Sequence, residues 1–337
     1  MDFFTHLLVP LGIASIFKRN KEEKYSIAVG GISPDIDIAI AWIGFLFPQL
    51  YIISHRVITH TIIFSILFSS FCLYLATRTW TKNQIKKWLN IDIKAGFNLT
   101  TIVIAYFGAL IHLFLDFITT HGPLVFYPFS ERKFALELFY FADPLLFILG
   151  GIVFYIIVKR KVSAQKIKYV YLSFFAFIII LGGIRMDAKL DAINKIGSSQ
   201  VYSTNSMFIW LFVKNSSELN KFYIIKFDSS SQEIVYSKQF DYFILSYDKS
   251  SKPAITIEDA LVKSSLLPEV WTFKWNAYAL SIKASYDKNN QGWVIEYQNP
   301  IRVAQMEGNP QFFSRIMPKS MFSIKVLVTS NKAEVIG

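Results

Sequence analysis

The feature that most constrains this chain is a series of long apolar segments within its first 190 residues. The hydrocarbon core of a bilayer is about 30 Å thick, so a spanning helix needs about 20 mostly apolar residues. Measured against that length, the sequence predicts six segments, of which the first is short. They are Phe3–Phe17, Ser26–Phe47, Val57–Trp80, Phe97–Thr119, Leu138–Val158 and Tyr169–Ile184. This part of the chain is therefore predicted to be an α-helical polytopic membrane domain.

Beyond Asp187 the sequence changes character, because Ser, Asn, Tyr and Lys become more frequent and no apolar run reaches spanning length. Short β-rich runs bounded by turn residues replace the long segments, with one helical stretch at Thr256–Ser264. The predicted strands are Met207–Val213, Phe222–Phe227, Glu233–Lys238, Tyr242–Ser246, Thr272–Ser285, Trp293–Tyr297 and Phe322–Val328. We therefore expect a membrane domain over residues 1–187, a linker over 188–204 and a soluble, mainly-β domain over 205–337.

The composition agrees with a membrane protein and excludes several other classes. Hydrophobic residues make up 53% of the chain and charged residues only 18%, whereas soluble domains average about 25% charged residues. A chain this apolar is not intrinsically disordered. The single cysteine, Cys72, excludes an intrachain disulfide.

Basic residues are concentrated in alternate connections between the apolar segments. The connections Lys18–Lys24, Arg78–Lys94 and Lys159–Lys168 hold 4, 5 and 5 Lys or Arg, which is 14 of the 19 in residues 1–190. Because cytoplasmic loops carry an excess of Lys and Arg, these connections are predicted to lie in the cytoplasm. The N-terminus and the C-terminal domain are then expected outside a multi-pass cytoplasmic membrane protein. This topology explains the net charge of +11, so no nucleic-acid partner is expected.

All five histidines lie within the first 121 residues, close to acidic residues in or beside the predicted spans. Ionisable side chains inside a membrane are costly and mark functional sites. In the predicted orientation this whole set falls near the outer leaflet, and His112 and Asp116, four residues apart, project from one helix face. The predicted metal ligands are His6, Asp35, Asp37, His55, His60, His112, Asp116 and His121.

The residue types in this set favour hydrolytic chemistry at a metal. Pro34 is predicted to break the second segment, because proline lacks a backbone N–H and clashes with the preceding turn. A broken helix at membrane depth is tolerated where it lines a cavity, which brings Asp35 and Asp37 towards a cation. Imidazole and carboxylate ligands favour zinc or another divalent metal, and we expect one or two ions. Asp35 or Asp37 is predicted to act as general base, and Arg56 to hold a phosphate oxygen.

Each of these residues also has a purely structural explanation. A single intramembrane histidine is often a hydrogen-bonded packing residue, and Asp35 or Asp37 alone fits a helix N-cap. Arg56 fits an interfacial cation whose side chain reaches towards water. Asp143-Pro144 fits an N-cap followed by a proline in the first helical turn. Five histidines and three acids from four segments at one depth nevertheless favour a shared metal site.

The polar residues form a series of ordered motifs. They are Thr5-His6, Pro34-Asp35-Ile36-Asp37, His55-Arg56-x3-His60, His112-x3-Asp116 with His121-Gly122, Tyr127-Pro128-Phe129-Ser130 and Asp143-Pro144. The set resembles a family of membrane-bound, metal-dependent hydrolases described as LexA-binding, inner-membrane-associated hydrolases. The resemblance covers about residues 1–185 and implies a membrane fold and a metal site, with little information on substrate. The pattern is also loosely similar to zinc-dependent phospholipases C, but the lack of histidine after His121 argues against three zinc ions.

The leading hypothesis is a membrane-embedded, metal-dependent hydrolase of a phosphoester in a lipid or lipid-linked substrate, with its site open to the outer leaflet. One alternative is a transporter or ion-coupled membrane protein, because intramembrane Asp and His also build cation sites. Another is a non-enzymatic anchor that presents the β domain and holds a structural metal. A polar path across the whole membrane would indicate transport. A pocket on one side would indicate hydrolysis, and a fully ligated metal would indicate a structural role.

Overall fold

The computed structural model describes residues 1–40, 43, 47–159, 163–248, 253–306 and 322–336. The chain forms two compact units. The first comprises Met1–Leu190 with Tyr202–Phe208, and the second comprises Asp191–Val201 with Ile209–Gly337. As the sequence predicts, the N-terminal region is helical and the C-terminal region is rich in β-strands.

Polar residues cap the helices of the N-terminal region. The side chains of Asp2, Asn20, Thr61 and Asn98 each accept a hydrogen bond from a backbone N–H in the first turn of the helix that follows. Such caps stabilise a helix start by satisfying N–H groups that have no partner inside the helix. The helices are α1 (Phe3–Ile16), α2 (Lys21–Ile32), α3 (Ile62–Thr77), α4 (Thr79–Leu89), α5 (Leu99–Phe117), α6 (Pro144–Lys159) and α7 (Ala164–Ile196). Short 3-10 turns occupy Pro34–Asp37, Pro48–Ile53 and Ile58–His60.

Two of the described helices, α5 and α7, are long and apolar enough to cross a membrane. A third candidate span is the pair α3 and α4, which is bent by 77° at its break, and α1 and α6 are shorter apolar helices. The described residues therefore supply two or three candidate spans, fewer than the six predicted. The second predicted segment, Ser26–Phe47, differs most: α2 is only 12 residues long and starts with charged residues. It ends just before Pro34, and residues 41–42 and 44–46 of that segment lie outside the described residues.

The last two predicted segments are also placed differently along the chain. The fifth begins as a helix at Pro144 and not at Leu138, because the Asp143 carboxylate accepts hydrogen bonds from the backbone N–H groups of Leu145 and Leu146. This confirms the N-cap explanation of Asp143-Pro144. The sixth lies within α7, which continues to Ile196, so residues 188–196 of the predicted linker are helical.

Glycines allow α1, α2 and α5 to approach one another closely. A Cβ atom added to Gly30 of α2 would lie 1.8 Å from the carbonyl oxygen of Ala105 in α5. One added to Gly108 of α5 would lie 2.2 Å from the carbonyl oxygen of Ile27. Gly31 makes a similar approach to the backbone of α1 at His6. Small residues at such contacts are the usual way in which membrane helices pack, and here they bring together the helices that carry the polar motifs.

The β-rich region contains a four-stranded sheet of order β1-β2-β3-β4 and a five-stranded sheet of order β5-β6-β7-β8-β9. In the five-stranded sheet β5 pairs with β6 in parallel, and the other pairs are antiparallel. Trp293, Ile295 and Val326 lie in its core, packed against Ala260 of a covering helix. The strands are β1 (Val201–Ser203), β2 (Ile209–Asn215), β3 (Lys221–Asp228), β4 (Glu233–Asp241), β5 (Phe243–Ser246), β6 (Ser281–Asp287), β7 (Gly292–Gln298), β8 (Ser323–Val328) and β9 (Ala333–Val335).

One strand prediction in this region is wrong over most of its length. The run Thr272–Ser285 is helical at its start, and only its end belongs to β6. Pro268 begins this helix, since proline suits the first helical turn, and Trp271 and Trp275, one turn apart, stack at 5.9 Å. The helices of this region are α8 (Ile257–Ser265), α9 (Pro268–Asn276) and α10 (Pro300–Met306). The predicted helical stretch Thr256–Ser264 matches α8, with Thr256 as its N-cap.

The glycine contacts generate a stability prediction. Gly30→Ala should destabilise the full-length chain by about 1–3 kcal/mol, because its methyl group would overlap the backbone of α5. Gly183→Ala in α7 is the matched control, since its added Cβ would meet nothing within 4 Å. Thermal unfolding in detergent should show a lower midpoint for Gly30→Ala and an unchanged or slightly higher one for Gly183→Ala. Equal midpoints for the two variants would contradict this packing.

Candidate metal centre

Four parts of the first unit supply Arg56 and seven of the eight predicted ligands. α1 carries His6, and the turn Pro34–Asp37 carries both acids of the second predicted segment. Residues 55–60, between the second 3-10 turn and α3, carry two histidines and an arginine. α5 carries His112 and Asp116 in its last two turns, one helical turn apart on its buried side. The prediction that separate segments contribute to one polar cluster therefore matches the structure.

Four side chains of this cluster, which we call the first group, converge on one point: Asp35, His60, His112 and Asp116. His60 Nε2 lies 3.5 Å from Asp35 Oδ1 and 3.4 Å from Asp116 Oδ2. His112 Nε2 lies 3.4 Å from each of the same two oxygens, and the two Nε2 atoms are 3.2 Å apart. Ligands about 2.1 Å from one ion, at the corners of a tetrahedron, are separated by about 3.4 Å. The five measured separations fit that spacing.

Hydrogen bonds on the far side of the rings orient the imidazoles of the first group. His112 Nδ1 lies 2.7 Å from the carbonyl oxygen of Gly31. A carbonyl can only accept, so Nδ1 carries the proton and Nε2 of neutral His112 presents its lone pair to the group. His60 Nδ1 lies 2.9 Å from Thr59 Oγ1, on the side of the ring opposite the group. In metal-binding histidines, the ring nitrogen that does not face the metal typically makes a hydrogen bond of this kind.

Unsatisfied polar atoms supply an independent test of whether a cation fits. Asp116, His60 and His112 are completely buried. Among the described residues, Asp116 Oδ2 has no hydrogen-bond partner, and neither ring nitrogen of His6 has one. A buried polar atom without a partner costs about 1–3 kcal/mol, and more when it is charged. A cation held by Asp116 Oδ2 and the neighbouring Nε2 atoms would remove that cost, so these residues fit a metal ion.

Asp37, His55 and His60 form a second group, which shares His60 with the first. His55 Nδ1 lies 2.7 Å from Asp37 Oδ1, and Thr59 donates a hydrogen bond to Asp37 Oδ2. His60 Nδ1 lies 3.4 Å from that second oxygen. His55 is 34% exposed and Asp35 is 13% exposed, whereas the side chains behind them are buried. The cluster is therefore accessible from the side of His55.

The other oxygen of Asp116 is surrounded by cationic and imidazole groups. Arg56 Nη2 donates to Asp116 Oδ1 at 2.9 Å, and the N-terminal amino group of Met1 also contacts that oxygen. His6 Nε2 lies 3.3 Å from it, and the His6 ring stacks on the His112 ring with centroids 3.6 Å apart. The second guanidinium nitrogen of Arg56 donates to the carbonyl oxygens of Thr120 and His121. Arg56 thus connects Asp116 to the chain that follows α5.

Seven of the eight predicted ligands lie in or beside these two groups, and the eighth, His121, belongs to neither. His6 adjoins the first group through Asp116 Oδ1. The His121 carbonyl accepts from Arg56 and its ring lies 6.5 Å from that of Phe141. Sequence reasoning overlooked Thr59, although this hydroxyl lies within the motif that contains His55 and His60.

The geometry predicts which residues hold a divalent ion. Purified full-length chain should contain stoichiometric divalent metal, and the double variant His112→Ala, Asp116→Ala should lose it, because it removes two of the four converging ligands. His121→Ala is the control and should keep its metal. Elemental analysis of monodisperse protein measures both. Metal retained in the double variant would refute the site, and metal lost in the control would refute the exclusion of His121.

A family model matches the part of the chain that holds these residues. Residues 1–190, more than half of the chain, match the family described as YdjM inner membrane protein. Searches of curated proteins and of solved structures find no match. The matched region contains both groups that could hold a metal ion and the helices that position them. The match confirms the resemblance drawn from the ordered motifs, and the chain belongs to the YdjM inner membrane protein family.

Proposed function

We propose that this protein is a membrane-embedded, metal-dependent hydrolase that cleaves a phosphoester in a lipid or lipid-linked substrate. The observation that carries the proposal is the convergence of Asp35, His60, His112 and Asp116, whose ligand atoms all lie within 4.8 Å of one another. Isolated packing histidines do not require such a convergence. The exposed edge at His55 supports a site that a substrate can reach.

The first group would hold one divalent ion, and the second would hold another or serve as its polar support. The mixture of imidazole and carboxylate ligands favours zinc. Because His60 belongs to both groups through different ring nitrogens, one or two ions are compatible with the cluster. A divalent ion there would lower the pKa of bound water and polarise a phosphoryl oxygen. We assign Asp35 as a ligand, given its contacts with His60 and His112.

We assign proton transfer to Asp37 together with His55. Asp37 Oδ1 lies 2.7 Å from His55 Nδ1, and Thr59 donates to its other oxygen, so the carboxylate is held in place from two sides. The other ring nitrogen, His55 Nε2, lies 4.0 Å from Asp35 Oδ1, and the His55 side chain is partly exposed. A carboxylate that orients a histidine in this way is a common means of setting its tautomer for general acid–base catalysis.

We assign Arg56 a positioning role. It donates to Asp116 and to the carbonyl oxygens of Thr120 and His121, and only 9% of its surface is exposed. Holding a phosphate oxygen, as the sequence suggests, would require Arg56 to exchange one of these partners. Its present contacts support a role in fixing the Asp116 carboxylate beside His60 and His112.

The distribution of charge supports an outward-facing site. On α3 the cluster lies at the N-terminal end, beside His60, and the basic residues begin at Arg78 at the other end. On α5 the cluster lies at the C-terminal end, and Lys94 precedes the N-terminal end. If the basic ends are cytoplasmic, the cluster faces the outer leaflet. We propose a multi-pass arrangement with the six predicted segments associated with the membrane and with the N-terminus and β-rich region outside.

Two features favour hydrolysis over the alternatives drawn from the sequence. The cluster lies at one end of α3 and of α5, which supports a one-sided pocket more than a transport path through the membrane. The partial exposure of His55 and Asp35 supports an open coordination position, whereas a structural metal is enclosed by protein ligands. A lipid or lipid-linked phosphoester is the substrate class that meets such a pocket from the bilayer.

A conservative substitution separates catalysis from metal binding. Asp37→Asn should lower the turnover of a phosphoester substrate by about 10²-fold or more, because the neutral amide neither fixes the tautomer of His55 nor stabilises its protonated form. The first group does not include Asp37, so at least one equivalent of metal should remain. A screen of phosphomonoesters, phosphodiesters and phospholipids in mixed micelles measures turnover, with His121→Ala as the active control. Unchanged turnover in Asp37→Asn would remove Asp37 from the mechanism, and a metal-loaded protein inactive on every substrate would argue against the hydrolase.

Cysteine labelling tests the proposed orientation. In a Cys72→Ala background, Leu219→Cys should react with a membrane-impermeant maleimide on intact cells, since Leu219 is 96% exposed in the β-rich region. Lys94→Cys, in a predicted cytoplasmic connection, is the matched control and should react only after the membrane is permeabilised. The reverse pattern would invert the topology and place the metal centre at the inner leaflet.

A further inference from the structure

The helix α4 differs from every other described helix of the first unit in having no buried residue. It follows α3 after Arg78, and the pair is bent by 77°. Its 11 residues end at Leu89, and the C-cap residue Asn90 adopts the left-handed conformation and donates its N–H to the carbonyl oxygen of Lys86. α4 is therefore a capped helix that follows a candidate span at a sharp angle. The rest of the protein buries none of its residues.

The residues of α4 divide between two opposite sides of the helix. At about 100° per residue, its apolar and aromatic side chains occupy one half of the circumference. This half, which we call the aromatic face, contains Trp80, Thr81, Gln84, Ile85, Trp88 and Leu89. The other half, the basic face, contains Thr79, Lys82, Asn83, Lys86 and Lys87. Two indole rings two turns apart, Trp80 and Trp88, are 73% and 77% exposed, so the protein leaves the aromatic face largely uncovered.

All the charged residues of α4 are basic. Its basic face carries three lysines, Arg78 precedes it, and no Asp or Glu lies between residues 78 and 90. None of these four cations takes part in an ion pair within the described residues; Arg78 instead lies 3.7 Å above the ring of Tyr74. Three lysines on one short helix without a counter-ion repel one another, so an external anionic partner would stabilise this arrangement.

We propose that α4 is an interfacial helix that lies along the membrane surface and binds anionic phospholipid headgroups through its basic face. When α3 is close to the membrane normal, a bend of 77° directs α4 nearly parallel to the plane of the bilayer. The aromatic face then enters the boundary between headgroups and acyl chains, where tryptophan is enriched. Lysines on the opposite face reach the surrounding phosphates, as in amphipathic helices that bind acidic membranes. The proposal does not depend on the hydrolase.

An alternative arrangement is that α3 and α4 together form one bent span. In that arrangement three lysines would have to be accommodated in the hydrocarbon core, where charged side chains are costly. The sharp bend and the separation of the two faces both favour the interfacial position. The two arrangements predict different surroundings for the two faces, so they can be distinguished directly.

Spin labels on the two faces measure where α4 lies. Thr81→Cys places a label at the centre of the aromatic face and Asn83→Cys places one on the basic face, each in the Cys72→Ala full-length chain in vesicles that contain phosphatidylglycerol. The Thr81 label should collide with oxygen far more than with a water-soluble nickel complex, and the Asn83 label should show the reverse. Equal nickel access at both positions would place α4 in water. Protection of both from nickel would make α4 part of a span. Either result overturns the proposal.

The lipid preference tests the basic face. The triple variant Lys82→Gln, Lys86→Gln, Lys87→Gln should lose the preference of the reconstituted chain for spin-labelled phosphatidylglycerol over phosphatidylcholine, by about fivefold or more. The triple variant with arginine at the same three positions is the control, because it keeps the charge, and should retain the preference. A preference equal in the wild type and the glutamine variant, or one lost in both triple variants, would show that the lysine charges do not bind the lipid.

Discussion

The polar cluster of the first unit is built around one buried carboxylate, that of Asp116. It lies at the end of an apolar helix without any solvent exposure, where an ionised group is stable only beside compensating charge. Arg56 compensates one oxygen, and the other faces the Nε2 atoms of His60 and His112. A divalent cation at that position would complete the compensation and turn an energetic cost into a binding site. The residues around Asp116 are arranged to meet this requirement.

The close packing of α2 against α5 makes this arrangement possible. Gly30 and Gly108 let the two backbones approach to a distance that excludes any larger side chain. At that distance the Gly31 carbonyl at the end of α2 reaches the His112 ring and orients it. Pro34 then ends the helix and turns the chain, so that Asp35 and Asp37 lie in front of the histidines. A packing contact and a helix break thus position the candidate ligands.

The two ends of α3 and α5 adjoin different kinds of side chain. On α3 and α5 one end carries buried imidazoles and carboxylates, and the other leads to exposed lysines and tryptophans. In the proposed orientation, the first end would present the candidate metal site at the outer leaflet and the second would lie at the inner leaflet. An interfacial helix such as α4 would fix the depth of α3 in the bilayer and, through it, the depth of the adjoining His60.

Much of the candidate site could be predicted from the sequence alone. Ionisable residues in apolar segments are costly and therefore indicate a function, and the four-residue spacing of His112 and Asp116 places them on one helical face. The change from long apolar helical segments to short β-strands could likewise be predicted from the sequence pattern. Only the tertiary structure decided that His121 lies outside both groups, that Arg56 is engaged with Asp116, and that residues 272–276 are helical. It also reduced the number of candidate spans among the described residues, because Pro34 follows the end of the 12-residue α2 and because α1 and α6 are too short. Hydropathy measures how apolar a segment is, whereas its direction and its side-chain partners depend on contacts distant in sequence.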